Sequence, residues 1–227
     1  IFTLTMQAAI GAILWATAVR FKAKDARFKT TTLTALILSI VGMGASLFHL
    51  GRPWLALTSM FNIATSWLSR EIFFSGAFFV LLLVFWWLER ADKSPSAQKA
   101  LLYLTGLAGI IAVFAMGKLY MASIMPAWQS VNTLITFYAT TIVLGGILLY
   151  LTAGKERDNL PRMDLVILAV VLIQAAFAPG HVAALSATSA GMKSALLLSG
   201  QGALLALSWL FTLGGVFMLV LSHHGKL

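Results

Sequence analysis

Residues 71–88 read EIFFSGAFFVLLLVFWWL, and this run indicates what class of protein the chain belongs to. After Glu71 the run contains no charged side chain, and it is followed directly by Glu89 and Arg90. An α-helix needs about 20 mostly apolar residues to cross the hydrocarbon core of a bilayer. The run therefore predicts a membrane-spanning helix.

Similar apolar runs, bounded by charges, glycine or proline, recur along the whole chain. The seven predicted spans are residues 2–19, 31–50, 71–88, 100–123, 132–151, 163–185 and 196–221. The runs are uniformly apolar, whereas the strands of a membrane barrel alternate over about ten residues. We therefore predict an all-α, polytopic transmembrane helix bundle.

Composition supports a single transmembrane domain over residues 1–227. Mean hydropathy is +0.92, and charged residues make up 10% of the chain, against roughly 25% in soluble domains. The chain has no cysteine, so iron–sulfur clusters, which are held by thiolates, would have to lie in a partner. Because the sequence begins at Ile1 inside an apolar run, without an initiator methionine, we expect residues of the natural protein to be missing before Ile1.

The net charge of +9 comes from basic residues in the short loops. Eleven Lys and Arg lie in the first, third and fifth loops, whereas three lie in the alternate loops. Cytoplasmic loops carry the excess of Lys and Arg. This pattern predicts that the N-terminus lies outside, and it argues against nucleic acid as a partner.

With that orientation, several ionisable residues fall in the outer half of the membrane. His49 ends the second span, Glu71 begins the third, and Lys118 lies roughly 7 to 8 Å below the surface at 1.5 Å per residue. Arg52 and Arg70 stand in the connection between the second and third spans. Because a charge at a helix centre costs about 2.5 to 3.5 kcal/mol, such residues are functional candidates. They predict a cavity or a partner site at the outer face.

Three motifs resemble the anchor subunits of dimethyl sulfoxide reductase, a family of membrane subunits in molybdopterin oxidoreductase complexes. The first is His49-Leu50-Gly51-x-Pro53 with Ser69-x-Glu71-Ile72 downstream. The second is the segment 113–120 followed by Pro126-Ala127-Trp128, and the third is Ile1-Phe2-Thr3 with Gln7. The family usually has eight spans, so the resemblance implies one more at the C-terminal end of the full-length protein, and we expect the sequence to be truncated at both ends.

The resemblance implies a quinol-oxidising site in a bacterial inner-membrane subunit of anaerobic respiration. The family's quinol-site histidine falls on His49 and its essential carboxylate on Glu71, with Arg52, Arg70 and Lys118 as further quinol-binding candidates. An imidazole with a pKa near 6.5 and a carboxylate near 4.3 can accept quinol protons. Menaquinol is the favoured substrate. The resemblance also implies that this protein holds no haem.

The same resemblance implies two partners at the outer face: an iron–sulfur subunit and a molybdopterin subunit that reduces the terminal substrate. The uncharged loop 125–131 is a candidate docking surface. One departure concerns the arginine that family members often have two residues after the proline. Leu55 stands there, while Arg52 is basic at a position that can be small and polar. Whether Arg52 replaces the missing side chain stays open.

Each candidate also has a purely structural interpretation. Glu71 follows Ser69, a good N-cap residue, and an acidic residue in the first turn complements the helix dipole. His49 could be a polar residue at a helix end, and Lys118 could extend its amine to the interface. Arg52 and Arg70 could be interfacial anchors, and His181 could be a hydrated loop residue or a second quinone contact.

Two other functions remain open at this level. A haem b cytochrome needs axial ligands such as facing histidines, and His49 and His181 could lie at similar depth. A secondary transporter would show internal repeats and polar groups at the membrane midplane, whereas here the polar groups gather at one face.

Overall fold

The computed structural model describes residues 1–23, 25–49 and 58–223, and these residues form α-helices and short 3-10 turns without a β-strand. Six helices are long and apolar enough to cross a membrane, and a seventh candidate span is a bent pair. The prediction of an all-α, multi-pass bundle is confirmed. The α-helices are α1 (Phe2–Lys22), α2 (Lys29–His49), α3 (Trp67–Arg90), α4 (Pro95–Met121), α5 (Val131–Thr152), α6 (Met163–Ser186), α7 (Ser189–Gly200) and α8 (Gly202–His223).

The protein divides into two compact units. The first comprises Ile1–Leu119 with Thr140–Pro161, and the second comprises Tyr120–Ala139 with Arg162–Leu227. The outside location of the N-terminus and the single transmembrane domain both stay predictions.

Helix α1 is, with α4, one of the two most buried candidate spans, and glycines let it approach α5 closely. Met6, Ile10 and Ile13 are fully buried. A Cβ added at Gly145 would lie 2.1 Å from the carbonyl carbon of Gly11, so there is no room for a side chain at this crossing. Small residues at such a crossing let two backbones come within direct van der Waals contact.

Helices α2 and α3 run antiparallel, and polar contacts join the start of α2 to the end of α3. The hydroxyl of Thr32 donates to Glu89 Oε2 at 2.8 Å, and the backbone N–H of Phe28 donates to Oε1 at 3.3 Å. Arg20, in the last turn of α1, completes the cluster with Nη2 at 3.4 Å from Glu89 Oε1. Glu89 is 1% exposed, so a buried ion pair holds three helices together at this end.

Helix α3 begins earlier than the sequence predicts. Its N-cap is Ser66, whose hydroxyl accepts from the backbone N–H of Ser69 at 3.3 Å. The helix starts at Trp67 because the apolar pair Trp67-Leu68 lengthens the apolar run at its N-terminal end, and Glu71 therefore lies beyond the first turn. The interpretation of Ser69 as the N-cap, with Glu71 as a first-turn acid, is wrong.

The last predicted span, residues 196–221, is not one straight helix. α7 ends at Gly200 and α8 begins at Gly202, with a bend of 65° between them. Two glycines around Gln201 lower the helix propensity at this point, which accounts for the break. The pair counts as one broken span or as a re-entrant segment.

In the second unit, α6 continues through Pro179 to Ser186. His181 therefore lies inside a helix rather than in a loop, and its Nδ1 is 3.2 Å from the hydroxyl of Ser130. The interpretation of His181 as a hydrated loop residue is wrong.

The rings of Tyr120 and Trp128 lie 5.0 Å apart, so an aromatic contact joins the two ends of the segment 120–128.

Candidate functional site

One face of α3 is buried along its whole length and has a carboxylate at each end. Buried residues recur every three or four positions, as expected for one face of a helix. Apart from Ser69, the buried residues of α3 are Glu71, Ser75, Phe78, Leu82, Phe85 and Glu89. Glu71 and Ser75 therefore lie on the same face as the apolar core, one helical turn apart.

Glu71 is 6% exposed, and among the residues that the structure describes its carboxylate has neither an ion pair nor a hydrogen bond. The hydroxyl of Ser75 is also buried, and no described residue bonds to it. Buried polar groups normally have partners, since leaving one unpaired costs at least about 1 to 3 kcal/mol, and more for a charged group. An unpartnered carboxylate and hydroxyl on adjacent turns are the groups that a polar ligand or a water would satisfy.

Trp67 brings two of the predicted cations to this end of α3. The guanidinium carbon of Arg70 lies 4.2 Å from the centroid of the Trp67 ring, and Nζ of Lys118 lies 5.5 Å from it. Phe114, one turn before Lys118 on α4, meets the same indole edge-on at 5.9 Å. Cations within about 6 Å of an indole face are attracted by its quadrupole. Trp67 therefore connects α3 to α4 one turn from Glu71.

Arg70 also holds the segment that precedes α3. Its Nε donates to the carbonyl of Ile63 at 2.8 Å and its Nη2 to the carbonyl of Ala64 at 2.6 Å. These contacts anchor the turn between the short helix Thr58–Asn62 and α3. By contrast, Lys118 makes no ion pair within the described part of the protein, so its ammonium is the more available charge.

The backbone of His49 reaches the same level as Glu71. Thr32 on α2 bonds to Glu89 on α3, which fixes the two antiparallel helices relative to each other. At 1.5 Å per residue, His49 lies about 25 Å along α2 from Thr32, and Glu71 lies about 27 Å along α3 from Glu89 in the same direction. The two predicted proton acceptors thus come from helix ends on one side of the first unit. The side chain of His49, and Arg52 and Leu55 altogether, lie outside the described residues.

The structure adds Ser75 and Trp67 to the candidates chosen from the sequence. Their spacing from Glu71, four residues on either side, could have revealed both, because positions i and i+4 share a helix face. Burial of the Ser75 hydroxyl without a partner is visible only in the folded protein.

A second buried carboxylate, Asp164, also escaped sequence reasoning. It lies in the first turn of α6, is 1% exposed, and neither oxygen has a hydrogen-bond partner among the described residues. A helix N-terminus favours a negative charge, which compensates part of this burial. Over the described ranges, no three His, Asp or Glu residues converge as metal ligands would.

Known proteins similar to this one include subunits of dimethyl sulfoxide reductase. A family model described as DMSO reductase anchor subunit (DmsC) matches residues 1–226. A polypeptide of the anaerobic dimethyl sulfoxide reductase of Haemophilus influenzae is 31% identical over 188 residues, which cover 78% of this protein and 67% of that one. The polypeptide of the same name from Escherichia coli K12 is 29% identical over 181 residues, covering 76% and 62%.

A further relative has a different name. It is a polypeptide of the sulfite dehydrogenase of Allochromatium vinosum, 34% identical over 99 residues, which cover 40% of this protein and 30% of that one. No solved structure matches. The sequence spans about two thirds of the length of the dimethyl sulfoxide reductase relatives that it resembles. Because the family model matches almost every residue, the protein belongs to the DmsC family of dimethyl sulfoxide reductase anchor subunits.

Proposed function

We propose that this protein is the membrane anchor and the quinol-oxidising subunit of a multi-subunit oxidoreductase complex similar to dimethyl sulfoxide reductase. The observation that carries the proposal is the buried Glu71 carboxylate, which has no partner among the described residues and lies one turn from the unpartnered hydroxyl of Ser75. By contrast, Glu89, the carboxylate at the other end of the same helix face, is paired with Arg20.

Oxidation of a quinol to a quinone releases two protons and two electrons. We assign His49 as the group that accepts a hydrogen bond from one ring hydroxyl of the quinol. Glu71 is assigned as the proton acceptor that passes protons to the outer water. The Ser75 hydroxyl, one turn from Glu71, is assigned a hydrogen bond to the bound quinol. The two electrons leave to an iron–sulfur cluster in a partner subunit, since this sequence has no cysteine to hold one.

The cations adjust the charge of the site rather than react. Lys118 and Arg70 flank the Trp67 ring, one turn from Glu71. A nearby positive charge favours the ionised form of a carboxylate and the developing negative charge of a quinol that is losing its proton. Arg52 is assigned the same role by its position in the motif around His49.

An isoprenoid quinol needs an apolar entrance from the bilayer. Phe114 and Leu68, next to Trp67, are 40% and 44% exposed on the first unit. Such surface is what a hydrophobic ring and tail would contact on entering from lipid. Menaquinol is the quinol we favour.

The remaining parts of the proposal follow from family membership and from the names of the relatives. Two of the similar proteins are polypeptides of an anaerobic dimethyl sulfoxide reductase. By analogy, this protein would sit in the bacterial inner membrane and bind an iron–sulfur subunit and a molybdopterin subunit at the outer face. The terminal substrate would be reduced in the molybdopterin subunit.

The test is quinol turnover and quinol-analogue binding by the purified complex. Glu71→Gln is nearly the same size as the natural residue but cannot accept a proton as a carboxylate, so we expect it to lower quinol oxidation by about 10²-fold or more, the usual contribution of a general base. His49→Ala should weaken binding of the analogue as well as turnover. Ser75→Ala should give a smaller loss of rate.

Glu89→Gln is the matched control, because it removes a carboxylate from the same helix face at the opposite end. It should keep normal quinol oxidation per folded complex. Normal analogue binding and normal turnover in both Glu71→Gln and His49→Ala would refute the site. Because one relative belongs to a dehydrogenase by name, quinone reduction should be measured beside quinol oxidation.

A further inference from the structure

A basic cavity of about 360 Å³ lies at the opposite end of the first unit from Glu71. It is formed by the last turn of α1, the connection from α1 to α2, and the first three turns of α4. The polar and charged residues that line it are Arg20, Asp25, Arg27, Ser96, Gln98, Lys99 and Tyr103. Three of these residues are cations and one is a carboxylate, and two of the cations are paired with carboxylates beside the cavity, Arg20 with Glu89 and Arg27 with Asp92.

The three cations differ in how far they are already engaged. Arg27 is paired with Asp92. Arg20 donates Nε to the carbonyl of Ala26 at 2.7 Å and places Nη2 near Glu89, which leaves Nη1 without a bond among the described residues. Lys99 has no ion pair in the described part of the protein. Nζ of Lys99 and Nη1 of Arg20 are therefore the donors for a ligand.

The cavity lies at the depth of lipid headgroups. Arg20 is two residues from the end of α1, and Lys99 is four residues from the start of α4. Both helices are candidate membrane spans. The loops at this end carry most of the basic residues, so the positive-inside rule predicts that it faces the cytoplasm.

Next to the cavity, one face of helix α4 carries exposed apolar side chains. Lys99, Tyr103 and Leu107 recur every four residues, and Ile110 follows three residues later, so the four share one face. Nζ of Lys99 lies 6.0 Å from the centroid of the Tyr103 ring, and Leu107 and Ile110 are 54% and 42% exposed. The order along the helix is a cation, an aromatic ring and then aliphatic side chains. This order matches a phosphate headgroup, the glycerol region and an acyl tail.

We propose that this cavity is a binding site for an anionic phospholipid, with the lipid phosphate between Lys99 and Arg20 and an acyl tail along Leu107 and Ile110. Ser96, Gln98 and Asp25 supply hydrogen-bonding groups for the hydroxyls of a glycerol headgroup. Basic pockets between membrane helices on the cytoplasmic side bind anionic headgroups in this way. The site is separate from the proposed quinol site and does not depend on it.

The test uses the complete complex, purified in mild detergent and freed of lipid by exchange. Phosphatidylglycerol is then added, and bound lipid is counted by native mass spectrometry while thermal stability is followed in parallel. We expect the wild type to bind phosphatidylglycerol and to gain stability from it. Lys99→Gln should weaken binding about fivefold, the value of one basic residue near an anionic headgroup, while Lys99→Arg should retain it.

Lys155→Gln is the matched control, since it removes a lysine from the loop helix Gly154–Asn159 without touching the cavity. An equal loss in Lys155→Gln would overturn the proposal, because it would show general charge attraction. Equal binding of phosphatidylethanolamine, or equal stabilisation by inorganic phosphate, would also overturn it. Release of a partner subunit by Lys99→Gln, with lipid binding unchanged, would show that a protein occupies the cavity.

Discussion

Glu71 and Glu89 lie on the same buried face of α3, about 27 Å apart at 1.5 Å per residue, and only Glu89 has partners among the described residues. Glu89 accepts from Thr32 and from the backbone of Phe28 and pairs with Arg20. The same helix therefore carries one carboxylate that joins helices and one that has no partner among the described residues.

The first prediction is that removing the charge at Glu89 destabilises the protein. Glu89→Gln should lower the free energy of unfolding by about 1.5 to 3 kcal/mol, the value of hydrogen bonds to a charged group, because Arg20 loses its buried partner. Unfolding of the purified protein in detergent, followed by tryptophan fluorescence, measures this. Glu71→Gln should leave stability unchanged or raise it. An equal loss in both variants would mean that Glu71 also has a structural partner.

The second prediction concerns the crossing of α1 and α5. Gly145→Ala places a Cβ 2.1 Å from the backbone of Gly11, where only movement of a whole helix could relieve the clash. Overpacking of this kind costs about 1 to 3 kcal/mol or more. Gly76→Ala in α3 is the control, because a Cβ there meets nothing within 4 Å. Thermal midpoints that are the same for the two variants would contradict the close crossing.

The third prediction is that Trp67 stabilises the end of the first unit near Glu71. Trp67→Leu removes the contacts with Arg70, Lys118 and Phe114, and we expect a loss of about 1 to 3 kcal/mol from two cation–π contacts and one aromatic pair. Trp67→Phe should retain part of that stability. Trp87→Leu serves as the comparison, since Trp87 is 53% exposed and Lys93 is the one cation over its ring in the described part of the protein. A larger loss in Trp87→Leu would refute the assignment.

The fourth prediction concerns acid stability at the basic end. The hydrogen bond from Lys29, together with the charges of Lys29 and Arg27, lowers the pKa of Asp92 below its ordinary value of 3.8. A carboxylate with a lowered pKa in the folded state contributes stability above its unfolded pKa and loses that contribution as the pH falls through the folded value. The contribution is therefore complete above pH 3.8 and disappears below it.

Asp92→Asn should accordingly weaken the protein slightly at neutral pH and reduce the dependence of stability on pH below 3.8. Thermal midpoints measured as a function of pH test this expectation. Asp25→Asn is the control, because Asp25 has no ion pair within the described ranges. An unchanged acid dependence in Asp92→Asn would show that the ion pairs of Asp92 do not contribute to folding in solution.

Much of the helix pattern was predictable because each span is a long, uniform apolar run. Spans predicted at 71–88 and 132–151 fall within α3 and α5, and their ends differ by a few residues. The errors came where local signals competed. Ser66 and Ser69 are both good caps, and only the apolar pair between them favours the earlier start. The Gly-Gln-Gly segment 200–202 breaks a run that hydropathy alone treats as continuous.

The candidate site was predictable in part. Glu71, Arg70 and Lys118 were chosen because charges are costly near apolar spans, and Trp67 brings the two cations to one ring. Ser75 and the Arg20–Glu89 pair were missed. Sequence reasoning treated Glu89 as a charge at the end of a span, because nothing in the local sequence shows that a residue 69 positions earlier pairs with it.

The sequence by itself determined that this is an all-helical membrane protein and which ionisable residues stand near its spans, since hydrophobic length and charge are properties of each segment alone. Tertiary structure decided which carboxylate is paired and which has no partner in the described part of the protein. Pairing depends on side chains from other helices, and Arg20 and Thr32 reach Glu89 only after α1, α2 and α3 have packed. Packing of the same helices buries Glu71 and leaves it without a partner among the described residues.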